Sequence, residues 1–369
     1  MVQRVIELLP TIADVAPETE RRRGLPDALI NDLKQSGIFA ALIPARYGGL
    51  EVPFPEFMRL MQQVAAADAS TAWCLNQAAV IGTTSLWLPE HKIREIWGTP
   101  GTSVANGPPF DGLIEPDGAN YRLNGHWGFS SGCQHATWMM GAVRYSQGGW
   151  RIAYFCPDQV EFIDNWQVAG LRGTGSFEFK VHNQAIPADQ VADQGGPATE
   201  DCLFTQVSSA LFFAVSFASV TLGVAEGALS EMLTIAQGKL PRYAKLHLHD
   251  DPDVQRFIGQ ATARWRSARA YLYGTVEEVL AAVGERGAIT HEERSQLRMA
   301  GTHVMRESAE VLDLAYKIVG STGIYQDQTL QRRFQDMHVM TQHVQAREAY
   351  YALLGRYALS GEYELGPMT

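Results

Sequence analysis

Between residues 101 and 195 the chain gives up helical spacing. Runs such as YRLNGHWGF, ATWMMGAVRY, WRIAYFC, WQVAGL and FEFKVHNQAI are divided by Gly, Pro, Asn and Asp. Short alternating runs bounded by turn residues predict antiparallel strands. Helical patterns fill both flanks, and no strand–helix–strand rhythm is present, which excludes a doubly wound sheet. The chain therefore reads as an α+β protein in three parts. Residues 1–100 form an N-terminal helical domain, 101–202 a central, barrel-like antiparallel β-domain, and 203–369 a C-terminal four-helix bundle.

The flanks support this division. DALINDLKQSGIFAAL places Leu29, Ile30, Leu33 and Ile38 at helical spacing. PEFMRLMQQVAAADAS opens with Pro55 at a helix start, and STAWCLNQAAVIGTTSLWL continues as helix behind a cap at Ser70. Beyond residue 203 four long segments are predicted, 203–236, 252–285, 289–319 and 329–360. The stretch Ala210–Ala225, ALFFAVSFASVTLGVA, carries no charge. It is slightly short for a membrane span, rich in Ser, Ala and Gly, and Glu226 follows at once. It reads as a helix buried on all sides of the bundle.

Hydrophobic residues make up 46% of the 369 positions and charged residues 19%, the composition of a soluble enzyme with a large interior. A net charge of -10 argues against nucleic acid or an anionic membrane as partner. Cys74, Cys133, Cys156 and Cys202 form no CxxC pair, which suits a reducing, cytoplasmic compartment. The first residues carry acids and no long apolar core, so they do not read as a secretory signal. No metal site is expected. His247 and His249 lack a second ligand cluster, and His338 and His343, five apart on one predicted helix, diverge by about 140°.

Two stretches carry candidate chemistry. GHWGFSSGCQHATW (125–138) sets two hydroxyls and a glycine between bulky aromatics. It is either a turn between strands or a wall against a flat ring, with a hydroxyl aimed at one ring atom. GLRGTGS (170–176) has the composition of a phosphate cradle, yet it is not GxGxxG and no helix follows. Alone, it also reads as a bulged hairpin with Arg172 in solvent.

Together with PARYGGLE (44–51), STAW (70–73), GVAEGAL (223–229) and LQRRFQDMHVMTQH (330–343), these motifs resemble the acyl-CoA dehydrogenase fold. More narrowly, the chain resembles the oxygenase components of two-component, reduced-flavin-dependent monooxygenases. The resemblance runs from about Pro26 to Tyr357. It implies reduced FMN or FAD delivered by a separate flavin reductase, reaction with O2 to a C4a-hydroperoxide, hydroxylation of an aromatic or polycyclic substrate, and a homotetramer. It implies that Ser131 holds the flavin N5 proton, and that Ser130, Gly132, Trp138, Arg172, Thr174 and Ser176 contribute to the cofactor site. It places His343 as the catalytic imidazole that takes or shares a phenolic proton. Trp73, Asn76, Gln77 and His338 would line the substrate pocket, with His338 the runner-up for the catalytic role.

One departure concerns the substrate. Many relatives carry a histidine after the STAW-like segment, whereas NQAAVIGTTSLW has none. Two rival readings stay open. An FAD-bound acyl-CoA dehydrogenase or oxidase needs a carboxylate base over the flavin, and none can be placed. A non-catalytic ligand-binding member of the same fold is the other.

Overall fold

The computed structural model describes residues 1–364 and Gly366. The first part holds α1 (Val2–Arg22), α2 (Asp27–Ser36), α3 (Phe54–Ala67), α4 (Ala69–Gly82) and α5 (Glu90–Trp97). Asp68, not Ser70, caps α4: its carboxylate accepts from the Thr71 amide and hydroxyl, both at 2.7 Å. The capping oxygen satisfies a first-turn amide that has no partner within the helix.

The middle part is one sheet of eight strands: β1 (Val104–Gly107), β2 (Pro109–Asp117), β3 (Asn120–Ser130), β4 (Trp138–Tyr145), β5 (Trp150–Phe155), β6 (Glu161–Ile163), β7 (Phe177–Pro187) and β8 (Val191–Ala192). The path runs β6-β7-β3-β2-β4-β5-β8, and β1 pairs with β4. The sheet is mostly antiparallel, but β4 lies parallel to β1 and β2, with Val104 opposite Trp138 and Leu113 opposite Arg144. β3 and β4 form no hairpin. The SSGCQHAT segment carries the chain across to the far side of β2, so β4 runs in the direction of β2.

Trp127 is the hub of the sheet's own core. It is fully buried, stacks on Phe179 with centroids 5.0 Å apart, and donates from Nε1 to the Ala142 carbonyl at 3.1 Å. Two glycines make room for the indole: a Cβ on Gly125 or Gly141 would lie 2.2 or 2.7 Å from it. The Gly141→Val substitution therefore overpacks this core. It is expected to cost about 2 kcal/mol, read as a lower urea midpoint with an unchanged slope.

The third part holds α6 (Leu203–Gln206), α7 (Ser209–Gly238), α8 (Pro252–Arg286), α9 (His291–Val319), α10 (Thr329–Met340) and α11 (Ala349–Ser360). Every residue from Ala210 to Ala225 in α7 is buried. That helix is long and apolar enough to cross a membrane, yet 94% of its most apolar window is buried inside this chain. Two of its buried hydroxyls bond within the helix, Ser219 donating to the Ser216 carbonyl at 2.7 Å and Thr221 to that of Ala218 at 2.8 Å, while the Ser216 hydroxyl has no partner among the described residues. Around it pack α3, α4, α8 and α9. Backbones approach closely at Gly223, where a Cβ would lie 2.0 Å from the Gln62 carbonyl of α3. Arg333 of α10 caps the end of α3, donating to the Ala66 carbonyl at 2.6 Å while pairing with Glu231 at 2.9 Å.

The predicted helix 329–360 is broken. Between α10 and α11 the chain makes a 3-10 turn at Val344–Ala346. Side chains of α9 take the carbonyls that a continuous helix would use. Arg306 donates to the Ala346 carbonyl at 2.9 Å through Nε, and through Nη2 to that of Thr341 at 3.4 Å. His343 sits in this break, so it and His338 do not share a helix.

Candidate active site

The end of β3 and the turn before β7 meet through a line of hydroxyls. Ser131 Oγ lies 2.8 Å from Ser176 Oγ, which lies 2.6 Å from Thr174 Oγ1, and Thr174 Oγ1 donates to the Leu171 carbonyl at 2.8 Å. All three side chains are buried. The turn is held from both sides, for the Gly132 amide donates to the Thr174 carbonyl at 2.9 Å. Gly132 has φ 76°, a conformation that glycine adopts without steric cost. So FSSG and GLRGTGS, far apart in sequence, form one structure. Arg172 turns back on its own loop, donating to the Val168 carbonyl at 3.1 Å.

Helix α4 forms the next wall. Cys74 Sγ lies 3.7 Å from the Thr174 carbonyl. Its neighbour Trp73 projects from another side of the helix and stacks on Phe217 of α7, with centroids 3.9 Å apart. The His343 ring stands edge-on to both, 5.2 Å from Trp73 and 5.0 Å from Phe217. α4 thus touches the hydroxyl line on one side and the imidazole cluster on another. Asn76, one turn beyond Trp73, is fully buried, and neither atom of its amide has a partner among the described residues.

His343 is held by the turn it begins. Its Nδ1 accepts from the Gln345 amide at 3.4 Å, which leaves the neutral ring's proton on Nε2. Burial pulls the imidazole down to about 4, and the Arg298 and Arg347 guanidiniums push the same way. The ring is therefore uncharged at neutral pH. Arg298 of α9 is fully buried beneath the turn. It hydrogen-bonds the Gln345 side chain, donates to the Ala210 carbonyl at 3.3 Å, and lies 4.6 Å from the Tyr350 ring centroid. Sequence reasoning missed this arginine. Its signal was a charge at helical spacing with the buried Gly301, Thr302 and Met305.

A second tie joins the hydroxyl turn to α10. Asp336 accepts from the Leu171 amide at 2.6 Å. Burial raises its carboxyl to about 7, against the opposing Leu171 hydrogen bond. The approach is tight, since a Cβ on Gly170 would lie 2.2 Å from the Gln335 carbonyl. Asp336 is thus engaged by the backbone of the turn.

The remaining candidates divide. Ser130 is fully buried beside the Cys133 thiol. Gln77 hydrogen-bonds Asn106 on β1. Trp138 begins β4 and packs at the edge of the main helical core. His338 faces away from the Trp73–Phe217 cluster: its Nε2 pairs with Asp313 of α9 at 3.0 Å in a surface groove. It does not meet His343.

Residues 7–88 match the acyl-CoA dehydrogenase N-terminal domain, and residues 215–348 match the acyl-CoA dehydrogenase C-terminal domain. The fold is also that of 3-HSA hydroxylase from Rhodococcus sp. RHA1, with a TM-score of 0.91 and 24% identity over 100% of this chain and 98% of that one. These define the class, a protein of the acyl-CoA dehydrogenase fold. Indole-3-acetate monooxygenase of Pseudomonas putida is 30% identical over 348 residues, covering 92% of this chain and 88% of that protein. The flavin-dependent monooxygenase oxygenase subunit HsaA of Mycobacterium tuberculosis is 27% identical over 375 residues, covering 97% and 93%. The chain belongs to the flavin-dependent monooxygenases built on the acyl-CoA dehydrogenase fold.

Proposed function

We propose that this chain is the oxygenase component of a two-component flavin monooxygenase that hydroxylates an aromatic or polycyclic substrate. The observation that carries this reading is that α4 touches a buried hydroxyl line through Cys74 and an apolar cluster around one neutral histidine through Trp73. A separate flavin reductase supplies reduced FMN or FAD by diffusion. The protein works in the cytoplasm as a homotetramer.

The residues fit such a cofactor. Ser131 ends a hydroxyl line in which Ser176 is its one partner among the described residues, so it has a lone pair to offer a ring N–H. The reduced flavin, when bound, supplies the activation of O2. Ser131 then holds the proton at N5, which prevents its loss with peroxide. Trp73 and Phe217, stacked on each other and edge-on to His343, exclude water around the imidazole. His343 presents Nε2–H and donates a hydrogen bond to the substrate oxygen. An imidazole held near pKa 4 is a weak base, so this geometry favours sharing a proton over abstracting it. The unpartnered Asn76 amide offers the substrate both a donor and an acceptor.

An acyl-CoA dehydrogenase reading needs a free carboxylate at the ring, whereas Asp336 is already bonded to the Leu171 amide. The decisive experiment mixes the anaerobic protein and reduced FMN or FAD with O2 in a stopped-flow cell. A flavin absorbance transient that outlives free-flavin oxidation, with delayed peroxide release, supports the reading. A yellow protein bleached by an acyl-CoA, with no such transient, overturns it.

A further inference from the structure

The hydroxyl line has a direction. A carbonyl oxygen only accepts, so the 2.8 Å contact between Thr174 Oγ1 and the Leu171 carbonyl uses the single Thr174 hydroxyl proton. At 2.6 Å, Thr174 Oγ1 must then accept from Ser176. Ser176, its proton spent, must accept from Ser131 at 2.8 Å. Among the described residues Ser131 Oγ has no other partner. It is left with an unused lone pair and no proton to give. Reversing the line would set two lone pairs together at the Leu171 carbonyl, which already accepts from Trp166 Nε1 at 3.0 Å and the Thr174 amide at 3.2 Å.

A flavin's N5 changes its hydrogen-bonding sense with oxidation state. The reduced ring carries N5–H, a donor. The oxidised ring's N5 has only a lone pair, an acceptor. Resting on the functional reading above, which sets Ser131 against N5, we propose that Thr174 makes the site selective for reduced flavin. By donating to the Leu171 carbonyl it fixes the line so that Ser131 offers an acceptor, which suits the reduced ring and opposes the oxidised one. The selectivity lies in a residue that does not touch the ring. It favours release of the flavin after turnover, once N5 has lost its proton. Thr174 is in this sense a specificity-determining residue acting through Ser176 and Ser131.

The test is a binding measurement without turnover. Dissociation constants for oxidised FMN and FAD, and for the dithionite-reduced forms under anaerobic conditions, are measured on the full-length protein by fluorescence titration. The ratio of oxidised to reduced constants is the readout. In Thr174→Val the anchor is gone and the line turns freely, so the ratio is expected to fall about tenfold, the worth of one hydrogen bond. Most of that change is tighter binding of the oxidised form. Ser176→Ala cuts the line at its middle and gives the same fall by an independent route, which covers failure of either variant to fold. Thr174→Ser, which keeps the hydroxyl, restores the ratio. If both line-breaking variants keep the wild-type ratio while Ser131→Ala changes it, the polarity proposal is overturned and Ser131 remains at N5. If Ser131→Ala also leaves the ratio unchanged, N5 is not at Ser131 and the functional reading of the site falls with it.

Discussion

Replacement of His343 by alanine is expected to lower hydroxylated product per flavin oxidised by about 100-fold, within the usual range for a lost proton-handling group. Flavin oxidation itself continues, and the oxygen appears as hydrogen peroxide. The imidazole stands edge-on to Trp73 and Phe217 in a largely apolar cluster, and alanine removes its Nε2–H donor from it. Simultaneous oxygen-electrode and product measurements check the result. His343→Gln, whose amide also donates, should recover part of the coupling. An alanine variant that stays fully coupled would remove His343 from the reaction.

The second large effect concerns Arg298. Arg298→Met fills much the same space but leaves the Gln345 side chain and the Ala210 carbonyl without the guanidinium. A loss of about 3 kcal/mol in unfolding free energy is expected from denaturant titration. The pH dependence moves as well. A nearby cation disfavours the charged imidazole, so removing it lets the His343 pKa rise from about 4 toward its ordinary value. The acidic limb of coupled turnover should therefore shift to higher pH. The other charged groups near the turn are Arg347, Arg306 and Glu348, all unchanged in the variant. Arg298→Lys, which keeps the charge, should hold the limb in place while still losing stability. An unmoved limb in Arg298→Met would separate this arginine from the histidine's proton affinity.

Much of this molecule was legible from pattern. The strand block announced itself by alternation and turn residues, and the buried α7 by a run without charge. Trp127 and Trp138 looked alike in the sequence, each aromatic beside small residues. Only packing separates them, because the room at Gly125 and Gly141 is defined by the indole it receives. The cap of α4 was misread by two residues, since Asp68 and Ser70 both suit a first turn and geometry chose the carboxylate.

The order of helical, strand and helical regions follows from local periodicity, because each element buries an apolar face whose spacing is written in consecutive residues. The hydroxyls of Ser131, Thr174 and Ser176 became candidates only through the resemblance to the reduced-flavin monooxygenases, because FSSG and GLRGTGS each read locally as a turn. What local pattern could not supply was the break at residues 341–348. That stretch contains neither proline nor glycine, and its helical signal is intact. Arg306 and Arg298, some forty residues earlier, reach the turn's carbonyls and the Gln345 side chain and stabilise a conformation the segment would not adopt alone. The same long-range bonding carries His343 away from the line of α10 and into the aromatic cluster. Folding alone decided which way the hydroxyl line points, because its polarity is set where Thr174 meets a carbonyl that can only accept.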